Sequence, residues 1–250
     1  MRPPKVGKVS CTFSVPADAR MEVAPLTVLY EDNHLLAVAK SAGLATMGAP
    51  AGTPSLLEAA RQYVKQRYQK PGNVYLGVVS RLDAPVTGVV LFARTSKAAA
   101  RLNTQFRTRE VEKTYWALVE GRIEPAAGSC ADHLAEDPRH RRMWIVGPQQ
   151  PGAKEARLAY RRLALLGGCS LVAVALETGR KHQIRVQLAD RGFPVLGDRK
   201  YGSTAPFPAG IALHARRLAF RHPVGGQPLD LTAPLPPPWR ALGVGEDLGR

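Results

Sequence analysis

Apolar positions in this chain arrive in short runs and alternations rather than in long stripes. Leu26-Thr27-Val28-Leu29-Tyr30 and Leu35 to Ala39 flank Glu31-Asp32-Asn33, which is the pattern of a hairpin around turn-prone residues. Tyr75 to Val79 and Val89 to Phe92 read as two further strands, and Lys113 to Glu120 alternates as another. Met143 to Val146 reads as another strand. Ala156 to Leu166 and Ser170 to Glu177 make a long hairpin around Gly167-Gly168. Ile211 to Leu218 reads as a late strand.

Helical signals are fewer. Thr53-Pro54-Ser55 predicts a helix start, with Thr53 as N-cap and Pro54 at the first helical position. Leu57, Ala60, Val64 and Tyr68 then share one face. After Thr95 a second helix places Ala99, Leu102 and Phe106 on its buried stripe. A third runs from about Lys181 to Arg191, stopped by Gly192. Residues 1 to about 24 read as an irregular arm or an edge strand, and the tail from Pro234-Leu235-Pro236-Pro237-Pro238 as extended and exposed. Strands that cluster as hairpins predict an α+β fold with a mixed, mainly antiparallel β-sheet flanked by helices and loops, not a doubly wound sheet.

Composition adds a partner. Lysine and arginine total 35 against 20 acidic residues, a formal charge of +15. Counterion release makes such a surface favourable for a polyanion, and nucleic acid is the expected one. Cys11, Cys130 and Cys169 are far apart and form no C-x-x-C pair, so neither a zinc site nor a disulfide framework is expected, and a reducing compartment fits. Met1-Arg2-Pro3-Pro4-Lys5 has charge but no apolar core behind it, and no apolar run is long enough for a bilayer. A soluble cytoplasmic protein is the resulting expectation. Neither G-x-G-x-x-G nor G-x-x-x-x-G-K-[ST] occurs, which argues against nucleotide-driven chemistry.

Three segments hold residues suited to chemistry. They are Arg81-Leu82-Asp83 with Gly88 downstream, Lys113-Thr114-Tyr115-Trp116-Ala117-Leu118-Val119-Glu120-Gly121, and Thr178-Gly179-Arg180-Lys181-His182-Gln183-Ile184-Arg185 continuing to Ala189. Gly197-Asp198-Arg199-Lys200-Tyr201-Gly202 follows the third. Singly each has a plain structural role: an Asp capping a turn, a core Tyr, a solvated basic face. Together and in this order they resemble the RluA-like family of RNA pseudouridine synthases. Tyr30-Glu31-Asp32, Lys40-Ser41-Ala42-Gly43-Leu44 and Leu213-His214-Ala215 extend the resemblance over about residues 26 to 235. Two positions depart from the family pattern: Ser80 stands where His is usual, and Val86-Thr87 where Thr-Ser is usual.

The resemblance implies a pseudouridine synthase catalytic fold with a central RNA-binding cleft, spanning residues 26–240. Residues 1–25 would then be an arm without a separate RNA-binding module, and 241–250 a tail. It implies isomerisation of uridine to pseudouridine in structured RNA, ribosomal RNA ahead of transfer RNA, by a monomer without metal or other cofactor. Asp83 would be the catalytic carboxylate, acting as a nucleophile or by stabilising an oxocarbenium-like or glycal state. Tyr115 would stack on the everted uracil, and Arg185 would pair with the aspartate. Arg81, Lys113, Arg180, His182 and Gln183 would contact RNA, and Arg139-His140-Arg141-Arg142 offers a further contact. A non-catalytic RNA-binding or assembly factor on the same fold is the alternative; it explains the charge but not the coexistence of Asp83, Tyr115 and Arg185.

Overall fold

In a computed structural model of the chain, residues 26–50, 52–246 and 248 are described. In chain order the elements are β1 (Thr27–Glu31), β2 (Leu35–Lys40), α1 (Leu56–Arg67), β3 (Gly77–Val78), β4 (Thr87–Ala93) and α2 (Ser96–Thr108). Then come β5 (Glu112–Glu120), β6 (Ala127–Asp137), β7 (Arg142–Val146), β8 (Lys154–Leu166), β9 (Cys169–Leu176) and α3 (Gln183–Asp190). A 3-10 turn (Arg199–Tyr201), β10 (Leu213–Arg221), β11 (Pro228–Thr232) and α4 (Pro237–Ala241) complete the series. The chain forms two compact units: one holds the described residues up to Lys113 together with Ala215–Leu235, the other holds Thr114–His214 and the residues from Pro236 on.

In the first unit the strand order is β1-β2-β4-β10-β11, with β3 beside β4. The β1–β2 hairpin turns on Asp32, whose Oδ1 accepts from the backbone N–H groups of His34 and Leu35, both at 2.7 Å. β2 and β4 pair antiparallel from Leu35↔Ala93 to Lys40↔Gly88. Leu35, Ala37, Val89, Leu91, Leu102, Phe220 and Leu231 pack into the core of this unit. Thr95 caps α2 by accepting from Ala98 N–H. In α1 the cap is Ser55, not Thr53. Ser55 and Glu58 form a capping box, each side chain accepting from the other's backbone N–H. This reciprocal pair satisfies two otherwise orphan donors, so it sets the start two residues later than the Thr-Pro signal predicts.

The second unit orders its strands β5-β9-β8-β6-β7, with every recorded pair antiparallel. α3 lies against the β6–β7 end, where Val186 joins Leu134, Met143 and Ala156 in a small core. β6 carries no strand signal in its sequence, because Ala-Gly-Ser-Cys-Ala-Asp lacks β-branched and aromatic residues; its neighbours impose the conformation. The tail is not extended throughout. Pro237–Ala241 is helical and Trp239 is fully buried, edge-on to Phe207 at 5.9 Å between ring centroids. Burial of so large an aromatic favours the ordered turn over the extended chain that consecutive prolines suggest. Cys130 is a free buried thiol. The proposed N-terminal arm lies outside the described residues. No helix among the described residues is long and apolar enough to cross a membrane.

Candidate active site

Asp83 sits in the first unit, half-buried in the loop between β3 and β4. The loop is fixed on both sides of the carboxylate. The Thr46 hydroxyl donates to Leu82 O at 2.9 Å and accepts from Leu82 N–H at 3.1 Å. The Lys40 ammonium donates to the carbonyls of Ser41, Leu44 and Ala84 at 2.9, 2.7 and 2.9 Å. Gly43 N–H also donates to Ala84 O at 2.8 Å, and Val86 N–H closes a turn onto Asp83 O at 3.0 Å. Ser80 uses its hydroxyl to accept from Leu91 N–H at 2.9 Å, so this departure from the family pattern ties the loop to β4.

Gly88 explains the glycine that follows Arg-Leu-Asp. Its φ is +118°, and a Cβ there would lie 2.2 Å from Ala215 O. Only glycine tolerates both the backbone conformation and so close an approach of β10.

Lys40 supports the Asp83 loop, a part that the sequence alone does not assign to it. It ends a strand whose other side chains are almost all buried, and it is itself 2 % exposed. Burial pulls its ammonium down to about 7, against the opposing attraction of Asp83. The only hint in the sequence is a charged residue closing an otherwise apolar run. Arg81 is exposed, as an RNA contact requires. Lys113 is partly buried, and burial together with the Arg109 charge lowers its pKa.

The second unit holds Tyr115, Arg180, His182, Gln183 and Arg185. Tyr115, half-buried on β5, is opposite Val174 of β9. Glu120 at the end of the same strand accepts from Ser203 Oγ, Thr204 N–H and Ala205 N–H at 2.6, 2.8 and 2.9 Å. Leu196 N–H donates to Leu118 O at 2.9 Å. The strand bearing Tyr115 is thereby registered against the segment bearing Asp198 and Tyr201.

α3 starts at Gln183 rather than Lys181, because His182 is left-handed with φ 54° and cannot continue a right-handed helix. Gln183 is 3 % exposed, and its amide is used internally. Its Oε1 accepts from Thr178 Oγ1 and Arg180 N–H at 2.8 and 3.0 Å, and its Nε2 donates to Arg157 O at 3.0 Å. Gln183 therefore shapes the turn that presents Arg180 and His182. Arg180 is exposed, with Nε donating to Glu155 O at 2.8 Å.

Arg185 is buried and forked onto Asp198, Nε to Oδ2 at 2.6 Å and Nη2 to Oδ1 at 2.9 Å. Its guanidinium carbon lies 5.1 Å from the centroid of the Tyr201 ring. Tyr201 Oη is 2.7 Å from His182 Nδ1 and accepts from Met143 N–H at 2.9 Å. Asp198 and Tyr201 were visible as motif residues, but nothing in their spacing assigned them to Arg185 or His182. The basic run predicted as an RNA contact forms the β6–β7 tip. There Asp137 accepts from the backbone N–H groups of Arg139 and His140, leaving the side chains of Arg139, Arg141 and Arg142 exposed. No group of three or more His, Cys, Asp or Glu among the described residues is placed to hold a metal ion.

Comparison with known proteins gives one consistent result. Residues 34–190 match the family model for RNA pseudouridylate synthase. The chain is 33 % identical over 236 residues to an uncharacterized RNA pseudouridine synthase of Synechocystis, covering 92 % of this chain and 72 % of that protein. It is 38 % identical over 232 residues to ribosomal large subunit pseudouridine synthase D of Nitrosomonas europaea, covering 88 % of this chain but only 65 % of that protein. Among solved structures, human RNA pseudouridylate synthase domain containing 4 superposes with a TM-score of 0.72 at 25 % identity, covering 87 % of this chain and 93 % of that one.

Proposed function

We propose that this chain, which belongs to the RNA pseudouridylate synthase family, isomerises a specific uridine in structured RNA with Asp83 as its reactive carboxylate, residues 26–240 forming the catalytic portion. In the reaction the C1′–N1 bond breaks and a C1′–C5 bond forms. The C5 hydrogen leaves as a proton and N1 gains one. Atoms and electrons balance without an oxidant, a reductant or a phosphoryl donor. A carboxylate either attacks the nucleotide or stabilises the charge that develops at the sugar.

The observation that carries this reading is the immobilised Asp83 loop. Thr46 holds the residue before the carboxylate, and Lys40 and Gly43 hold the one after it. A group ordered in advance loses little freedom on reaching the transition state. A loop that merely turned the chain would not need a buried lysine beneath it. In the same reading Tyr115 supplies an aromatic wall for the everted base. Arg185 supplies a fixed guanidinium to the reacting region, and Arg81, Lys113, Arg180 and His182 contact the RNA backbone, with Gln183 shaping their turn.

Base eversion costs a few kcal/mol, least in loops and bulges, so an accessible uridine of a folded RNA is the expected target. The name of the Nitrosomonas relative favours ribosomal over transfer RNA. The same reading takes the protein as a cytoplasmic monomer. The test is tritium release from C5-labelled uridine in large-subunit ribosomal RNA and in transfer RNA transcripts, without ATP. Release from ribosomal RNA is expected. Release from transfer RNA alone would overturn the target, and tight binding without release from either would favour a binding factor.

A further inference from the structure

We propose that Trp144 is a stacking platform for an unpaired base of the RNA, with the arginines of the β6–β7 tip holding the neighbouring phosphates. The inference rests on the RNA-modifying reading for its consequence in turnover, and it adds a contact outside the residues assigned to the reaction. The chain has three tryptophans, and two are core residues: Trp116 is 4 % exposed and Trp239 is fully buried. Trp144 is 46 % exposed. Among the described residues its indole makes no hydrogen bond, ring contact or cation–π contact. A single exposed apolar residue needs no explanation by itself. The setting of this one does.

Met143 is buried in the small core against α3, so by strand alternation Trp144 and Arg142 project from the opposite face. They stand two residues apart, about 7 Å along the strand, comparable to the reach from a base to a neighbouring phosphate. Arg139 and Arg141 are exposed at the turn, and Lys200 joins them by donating to Arg141 O at 3.1 Å. The acid of the tip, Asp137, is 8 % exposed and accepts from the N–H groups of Arg139 and His140 at 3.0 and 3.2 Å, with His140 Nδ1 at 2.6 Å. Arg142 Nε is 3.8 Å from it, too far for a hydrogen bond, so the guanidinium keeps its donors for a phosphate. A ring flanked by cations is the combination that holds single-stranded nucleic acid, since every base has a face to stack. A protein partner would instead want an interface core depleted in charge. The register from β5 through β9, β8 and β6 to β7 puts Tyr115 on the face of Met143. The base on Trp144 is therefore not the one that reacts but a flanking, unpaired nucleotide. β7 ends the strand order of its unit, which leaves an edge around which the RNA can pass from one face to the other.

The test uses a short oligoadenylate, which holds no uridine and so cannot occupy the catalytic position. Binding is read by anisotropy of the labelled strand, and stacking by intrinsic tryptophan emission, to which Trp144 is the exposed contributor. At saturation the single strand should quench wild-type emission, and the same strand in a duplex with oligouridylate should not. Ala135 stands opposite Trp144 and is 5 % exposed, so Leu is chosen as a replacement that still covers it. Trp144→Leu should bind the single strand about tenfold more weakly, the loss of one base stack, with an unchanged salt slope. Trp144→Phe keeps an aromatic face and should bind within about threefold of the wild type. Arg142→Ala should reduce the slope of log K against log salt by about 1 while quenching at saturation persists. Wild-type binding without quenching, equal quenching by duplex and single strand, or wild-type affinity in Trp144→Leu would each overturn the proposal. So would a wild-type dimer that Trp144→Leu makes monomeric, because the face would then belong to a second copy. If the wild type released no tritium from any RNA, the functional reading would fail instead, and these binding results would still decide the role of Trp144.

Discussion

Arg185 and Asp198 face each other in a buried two-pronged ion pair, with side chains only 6 % and 2 % exposed. Removing one partner would strand the other charge in the interior. Asp198→Asn should therefore lose about 3–5 kcal/mol of stability, measured by urea unfolding. The double variant Arg185→Met, Asp198→Leu should recover most of that loss while remaining without activity. Equal stability of wild type and Asp198→Asn would mean that solvent reaches the pair.

Lys40 makes a prediction about pH. Its ammonium is pulled from 10.5 down to about 7 by burial, with Asp83 pulling the other way. Below about pH 7 both folded and unfolded chains carry the proton, and the folded state bears the full cost of the buried charge. Between about 7 and 10.5 the unfolded chain binds more protons than the folded one, so this group makes stability rise with pH. Unfolding free energies of wild type and Lys40→Met, compared from pH 7 to 10, should diverge, with the wild type gaining. Parallel curves would contradict the shift. The variant should also turn over slowly, because the carbonyls of Ser41, Leu44 and Ala84 lose their donor.

Gly88→Ala should destabilise the first unit. The left-handed backbone alone costs roughly 1–3 kcal/mol, and a Cβ only 2.2 Å from Ala215 O forces β4 and β10 to shift. The urea midpoint should fall. An unchanged midpoint would show that the approach of the two strands relaxes freely.

Arg81 is exposed and is assigned to RNA phosphate. Arg81→Ala should weaken binding to unrelated RNA sequences alike and reduce the slope of log K against log salt by about 1. A sequence-dependent loss with an unchanged slope would place Arg81 against a base instead.

Much of this fold is legible in the sequence, because periodicity reports which face is buried. The β1–β2 and β8–β9 hairpins, the start of α2 after Thr95 and the strand through Tyr115 all follow from pattern and turn chemistry. β6 does not, since its small polar residues become a strand only through pairing with β7 and β8. Nor does α4, where burial of Trp239 overrides the reading of consecutive prolines. The motif residues were identifiable, but their partners were not. Spacing along the chain cannot say that Lys40 supports the loop of Asp83, or that Tyr201 touches both His182 and Arg185, because those contacts join segments far apart in sequence.

The central claim is that the Asp83 carboxylate performs the chemistry. Forming the C1′–C5 bond must expel the hydrogen at C5, so tritium release from C5-labelled uridine in RNA reads the reaction directly. The wild type should release tritium without ATP, and Asp83→Asn and Asp83→Ala should release none while binding the same RNA with nearly unchanged affinity. Release by the Asp83 variants at the wild-type rate would contradict the account.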